Sequence, residues 1–102
     1  MKYFIVSFDR PLVPSLYAAF HNDFVANTRI RRWSHFIKSH YLIGTNMTAR
    51  ELSTHFRETA LKHSVPTRHL VAAVDLRNVS GWMPKRAWEW IAKQTPQQDG
   101  EK

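Results

Sequence analysis

Apolar residues follow two different rhythms along this chain, and the changes between them mark out its elements. Residues 2–9, KYFIVSFD, are a short run of aromatic and β-branched side chains closed by Asp9, Arg10 and Pro11, which reads as a buried strand followed by a turn. From Pro14 the spacing becomes helical: Leu16, Phe20 and Phe24 recur four apart with Tyr17 beside them, predicting a helix with a proline in its first turn that ends near Asn27. TRIRRWSHFIK and SHYLIGTN then read as two strands joined by a tight connection near Lys38 and Ser39. Thr48 and Glu51 have the spacing of a reciprocal capping box, and the stripe Leu52, Phe56, Ala60 continues the helix they open until Val65-Pro66 stops it. RHLVAAVDL is a last strand. Gly81 then turns the chain, and Pro84 fits the first turn of a short helix, PKRAWEWIAKQ, with Trp88 and Ile91 on one face. The tail from Thr95, TPQQDGEK, is read as disordered.

Strand, helix, strand, strand, helix, strand is the split βαβ order. It predicts an α+β, ferredoxin-like βαββαβ domain over residues 1–94: a four-stranded antiparallel sheet, two helices on one face, and an added C-terminal helix. We expect the first and third strands to be central and parallel. That would gather Asp9 and Arg10, Thr45 and Asn46, Thr28 and Arg29, and Arg68 and His69 at one rim, with Asp75 at the other. Alternation puts Phe4, Val6 and Phe8 on the helix side and Tyr3, Ile5, Ser7 and Asp9 on the opposite face. That second face, with Trp33 of the hairpin, needs a cover from the C-terminal helix or a second subunit, so a homodimer is expected. Trp82, Trp88 and Trp90 crowd one short C-terminal segment that cannot bury all three, which makes them candidate partner-binding residues.

Charge adds a partner class. The 102 residues hold 15 Lys and Arg against 8 Asp and Glu, a formal charge of +7, and no acidic residue lies between Asp23 and Glu51. Arg29, Arg31, Arg32 and Lys38 fall in that stretch with Trp33, His35 and Tyr41. Together with Arg68 they suit phosphate contacts and base stacking, so Arg29, Arg31, Arg32, Trp33, Lys38 and Arg68 are the candidate nucleic-acid-binding residues, with RNA or single-stranded DNA as ligand. Arg77, Lys85 and Arg86 form a second basic cluster; the alternative for all of them is a solvated, solubilising surface. SHYLIGTN does not match the aromatic motif of RNA-recognition modules in their third strand. Zero cysteines exclude disulfides, thiolate nucleophiles and Cys-ligated zinc. No apolar run approaches the ~20 residues of a membrane span, and Asp9 interrupts the first apolar stretch too early for a secretory signal, so a cytoplasmic protein is expected.

Catalytic signals are sparse. There is no G-x-S-x-G, P-loop or dinucleotide fingerprint. Asp9 either accepts backbone N–H bonds in the turn to Pro11 or serves chemistry at the rim, and Arg10 beside it would compete with a cation for its carboxylate. His69 with Arg68 is a candidate metal-free general base with a phosphate-stabilising neighbour. A turn at Ile37 and Lys38 would make His35 and His40 cross-strand neighbours, two candidate ligands lacking a third.

The strand ending SFD, the split βαβ order and the strand HLVAAVDL leading to a C-terminal appendage resemble the small ferredoxin-like CRISPR-associated endoribonuclease, which is also the spacer-acquisition subunit. The same features resemble its relatives, the virulence-associated protein D toxins and the SinR-like proteins. The resemblance covers about residues 2–80. It implies a homodimer from a defence, toxin or mobile-element system. It also implies phosphodiester cleavage dependent on a divalent metal such as Mg²⁺, with Asp9 as the catalytic, metal-binding residue and Ser7 beside it. The sequence thus leaves three readings: a nucleic-acid-binding homodimer, a metal-dependent endoribonuclease, and an assembly subunit that docks a protein partner through its tryptophans.

Overall fold

The computed structural model describes residues 1–95, so the tail read as disordered falls, from residue 96 on, outside the described residues. The elements are β1 (Lys2–Phe8), α1 (Pro14–Val25), β2 (Ile30–Ile37), β3 (His40–Thr45), α2 (Ala49–Lys62), β4 (His69–Ala73) and α3 (Lys85–Gln94). The strands form one antiparallel sheet in the order β2-β3-β1-β4, giving the α+β, ferredoxin-like architecture. Pro14 opens α1 without a side-chain cap, its missing N–H costing nothing where the helix has no internal partner for it. The capping box of α2 is present in both directions: Glu51 N donates to Thr48 Oγ1 at 3.1 Å and Thr48 N to Glu51 Oε1 at 2.9 Å.

Strand alternation decides the core. Phe4, Val6 and Phe8 of β1, with Tyr41 and Ile43 of β3, are buried beneath Tyr17, Phe20 and Phe24 of α1 and Leu52, Phe56 and Ala60 of α2. Leu16 is only partly buried, because the stripe of α1 turns on Tyr17 instead. At the end of α2, Ser64 has φ 58°, the left-handed conformation that lets Val65 N donate to Ala60 O at 3.0 Å.

The two central strands, β1 and β3, run antiparallel, which corrects the expected rim. Lys2 pairs with Thr45 and Ser7 with His40. The reason is topological: the crossover through α1 returns β2 in the direction of β1, and the tight β2–β3 turn then reverses β3. Asp9 and Arg10 therefore meet the hairpin turn and the start of β4, with Phe8 N donating to Ser39 O and Phe8 facing His69. Thr28, Arg29, Thr45 and Asn46 lie at the far rim with Lys2. The chain leaving β4 passes Tyr3 there, where Val74 N donates to Tyr3 O, so Asp75 remains opposite Asp9.

On the other sheet face α3 supplies a cover. Tyr3 lies across Gly44, donates to Gln94 Oε1 at 2.9 Å and takes Trp90 edge-on with centroids 6.4 Å apart. A Cβ on Gly44 would stand 2.7 Å from the Tyr3 ring, so only glycine lets the ring cross β3. Among the described residues no helix is long and apolar enough to cross a membrane.

Candidate nucleic-acid interface

The basic hairpin forms an open edge of the sheet, because β2 has a neighbour only in β3. A register shift between Ile30 and Arg32 takes Arg31 out of the regular ladder. Arg32 then pairs with Gly44 on the α3 side and Trp33 with Ile43 on the α1 side, which corrects the expectation that Trp33 shares the face of Tyr3 and Ile5, so the edge carries exposed groups on both flanks. Trp33 stays 40 % exposed and meets the edge of the His21 ring at 5.0 Å. Among the described residues Arg31 and Arg32 have no carboxylate partner, whereas Arg29 is tied to Glu51 at 3.4 Å. At the other end of β2 the exposed Lys38 is joined by Arg10, whose guanidinium sits 4.2 Å over the Tyr17 ring and donates to Lys38 O at 3.2 Å. Arg32 and Lys38 are six residues apart, a span of roughly 20 Å at strand rise.

Behind this edge runs a chain of hydrogen bonds that sequence reasoning missed. His21 Nδ1 lies 2.7 Å from Tyr41 Oη, Tyr41 Oη 3.0 Å from Tyr17 Oη, and Tyr17 Oη 3.3 Å from His35 Nδ1. His35 Nε2 lies 2.8 Å from Lys38 O; a carbonyl only accepts, so Nε2 carries the hydrogen and neutral Nδ1 is an acceptor. With Nδ1 an acceptor, one orientation satisfies the whole chain: Tyr17 donates to His35, Tyr41 donates to Tyr17, and His21 Nδ1–H donates to Tyr41. Burial, with a smaller contribution from His35, holds His21 below its ordinary pKa, so it stands neutral near pH 7. Burial and the bond to Tyr17 push the Tyr41 phenol far above the usual tyrosine range. Tyr17 and His21 are one helical turn apart and face the strand pair. Their apolar bulk read as core, which hid the polar tips.

The residues named for catalysis fall into separate settings. Asp9 Oδ2 accepts from Arg68 Nε at 2.8 Å, so an exposed ion pair replaces the expected backbone bonds of the turn. Among the described residues no group of three His, Asp or Glu could hold a metal ion. With its oxygen engaged by a guanidinium and no second carboxylate nearby, Asp9 in one chain does not fit the divalent cation that the resemblance implies. His69 is separated from this pair: its ring lies tilted against Phe56 with centroids 4.5 Å apart, Nδ1–H donates to Thr67 O at 2.7 Å, and Ser53 Oγ–H donates to Nε2 at 2.6 Å. Arg68 is committed to Asp9, so the proposed pairing of a His69 base with an Arg68 phosphate clamp is not assembled here. His35 and His40 also part company. The turn falls at Lys38 and Ser39, His35 faces α1, and His40 lies on the α3 face, so they are not joint ligands.

The three C-terminal tryptophans divide as well. Trp82 is fully exposed, Trp88 borders the space between α3 and the sheet, and Trp90 packs on Tyr3. Arg86 reaches over the Phe36 ring at 5.7 Å, which draws the second basic cluster toward β2, while Arg77 is spent on Asp75 at 3.1 Å. No protein-family model, curated protein or solved structure matches the chain.

Proposed function

We propose that the protein is a small basic nucleic-acid-binding module for RNA or single-stranded DNA, working as a homodimer, with the β2 edge as its contact surface. The observation that carries this reading is the pairing of two unneutralised guanidiniums, Arg31 and Arg32, with the half-exposed Trp33 on an open strand. A single strand presents phosphates and unpaired base faces together, and each base stacked on an aromatic side chain contributes ~1–3 kcal/mol. Arg10 and Lys38 extend the positive edge beyond Trp33, so a strand stacking there would meet cations on either side. Arg29 and Arg68 take a lesser part, each being neutralised by a carboxylate. The exposed Leu70 on the opposite edge and Trp82 are apolar surface that a second subunit would cover. The setting in a defence, toxin or mobile-element system rests on the resemblance alone.

Titration of the purified protein against labelled single-stranded RNA and duplex DNA, at several salt concentrations with and without Mg²⁺, tests the reading. Saturable binding that falls steeply with salt and leaves the probe intact is expected, with the single strand preferred. Absence of binding at moderate salt refutes it and turns attention to a protein partner at Trp82. Mg²⁺-dependent fragments that disappear in Asp9→Ala would instead establish the endoribonuclease, with a second subunit completing the site.

A further inference from the structure

Ser53 of α2 and His69 of β4 meet at the sheet edge opposite β2. The tautomer of His69 is fixed: Nδ1 lies 2.7 Å from Thr67 O, a carbonyl that only accepts, so Nδ1 carries the hydrogen and the neutral ring leaves Nε2 a lone pair. That lone pair accepts the hydrogen of Ser53 Oγ, 2.6 Å away. A serine inside a helix commonly spends its hydroxyl on the carbonyl one turn back, whereas Ser53 spends its own on an imidazole from another element. The Phe56 ring, its centroid 4.5 Å from that of His69, limits how the imidazole can turn. Nucleophile, base and an acceptor that orients the base thus stand in sequence. Both side chains are half-buried and line one open groove, so the pair is not sealed from solvent.

We propose that Ser53 and His69 form an esterase site for small carboxylic esters that carry an anionic group. Arg50 and Arg57 flank Ser53 on one face of α2, three residues before it and four after; both are exposed, and neither has a carboxylate partner among the described residues. Arg50 lines the groove itself, which selects a substrate with a negative charge. Asp9 N donates to Arg68 O and Val74 N to Tyr3 O, so the even-numbered residues of β4 bond to β1 and the Val71 N–H turns outward. Val71 lines the same groove, where its N–H is the donor for the oxyanion. Ser53 Oγ attacks the ester carbonyl carbon as its proton passes to His69 Nε2; the C–O bond to the alcohol breaks, and the alcohol leaves with that proton. Water then adds to the acyl-serine, giving a proton to Nε2, and the acid departs as Ser53 Oγ takes that proton back. Thr67 O positions the ring throughout. The site lies across the sheet from the β2 edge and does not depend on the nucleic-acid reading.

The full-length protein is mixed with para-nitrophenyl acetate and with mono-para-nitrophenyl succinate, nitrophenol release is followed, and peptide masses locate any acyl group. An acyl group on Ser53 and a lower KM for the succinyl ester are expected. Ser53→Ala should reduce release to the rate of free imidazole at equal concentration, and His69→Gln should reduce kcat about hundredfold, with circular dichroism confirming that both variants fold. Arg50→Ala should raise KM for the succinyl ester about fourfold and leave the acetyl ester within about twofold. A fluorophosphonate probe, which loses fluoride as the serine oxygen bonds to phosphorus, should label Ser53 in the parent protein and needs no variant. Acyl groups carried only by lysine or histidine, parental release by Ser53→Ala, no fluorophosphonate on Ser53, or equal effects of Arg50→Ala on the two esters would overturn the proposal.

Discussion

Replacing Tyr41 by phenylalanine removes a single oxygen from the contact between α1 and the hairpin. The ring is fully buried, and its Oη lies 3.0 Å from Tyr17 Oη and 2.7 Å from His21 Nδ1. Each hydrogen bond has a net value of ~1 kcal/mol, so the pair amounts to about 2 kcal/mol. The neighbours limit any further loss: Tyr17 keeps His35 as a partner, and His21 is exposed enough to take a water in place of the phenol. For a domain of this size, about 2 kcal/mol lowers the melting temperature by roughly 8–16 °C. Urea unfolding followed by tryptophan fluorescence reads it directly, with the midpoint falling and the slope unchanged. Tyr17→Phe removes the same central bond, so the double variant should be less destabilised than the sum of the singles, by about 1 kcal/mol. A Tyr41→Phe protein within about 0.5 kcal/mol of the parent, or strict additivity of the two changes, would refute the account of a coupled hydroxyl chain.

Changing Arg31 and Arg32 together to alanine should lower the slope of log K against log salt for single-stranded RNA by about 1.4, two phosphates at ~0.7 each, whereas Arg29→Ala, already paired with Glu51, should move it less; an unchanged slope in the double variant removes the edge from the interface. Acidification should destabilise the fold through His21: its pKa is lowered on folding, so between about 6.5 and that lower folded value the unfolded chain takes up a proton the folded one refuses, and stability declines as pH falls through this window. His21→Gln should flatten that part of the urea midpoint profile, and a profile identical to the parent's would contradict it. Ser64→Gly should stabilise by about 0.5–1 kcal/mol, since an L residue at φ 58° is strained and glycine is not; destabilisation on thermal melting would show that the Ser64 side chain matters more than its backbone.

Much of the fold was legible in the sequence because it depends on local periodicity. The capping box at Thr48 and Glu51, the Phe20 and Phe24 stripe, the alternation of Phe4, Val6 and Phe8, and the turn at Lys38 and Ser39 all follow from spacings of two to four residues. The excess of positive charge on the hairpin was legible too, since no acidic residue lies between Asp23 and Glu51, but which arginines stay unpaired was not, because Glu51 reaches Arg29 from α2. The ion pair of Asp9 and Arg68, 59 residues apart, was not, because nothing local selects that partner. The same holds for His21, Tyr41, Tyr17 and His35, drawn from three elements whose polar tips meet only once α1 lies on the hairpin. Sequence alone thus determined the elements, the faces of β1, α1 and α2, and the sign of the charge, but not the face of Trp33. Tertiary structure decided strand direction, and with it which end of the sheet each loop occupies. It also brought α3 over the second face and buried the Ser34 hydroxyl without a hydrogen-bond partner. These features depend on how distant segments pack, which no short window of residues encodes.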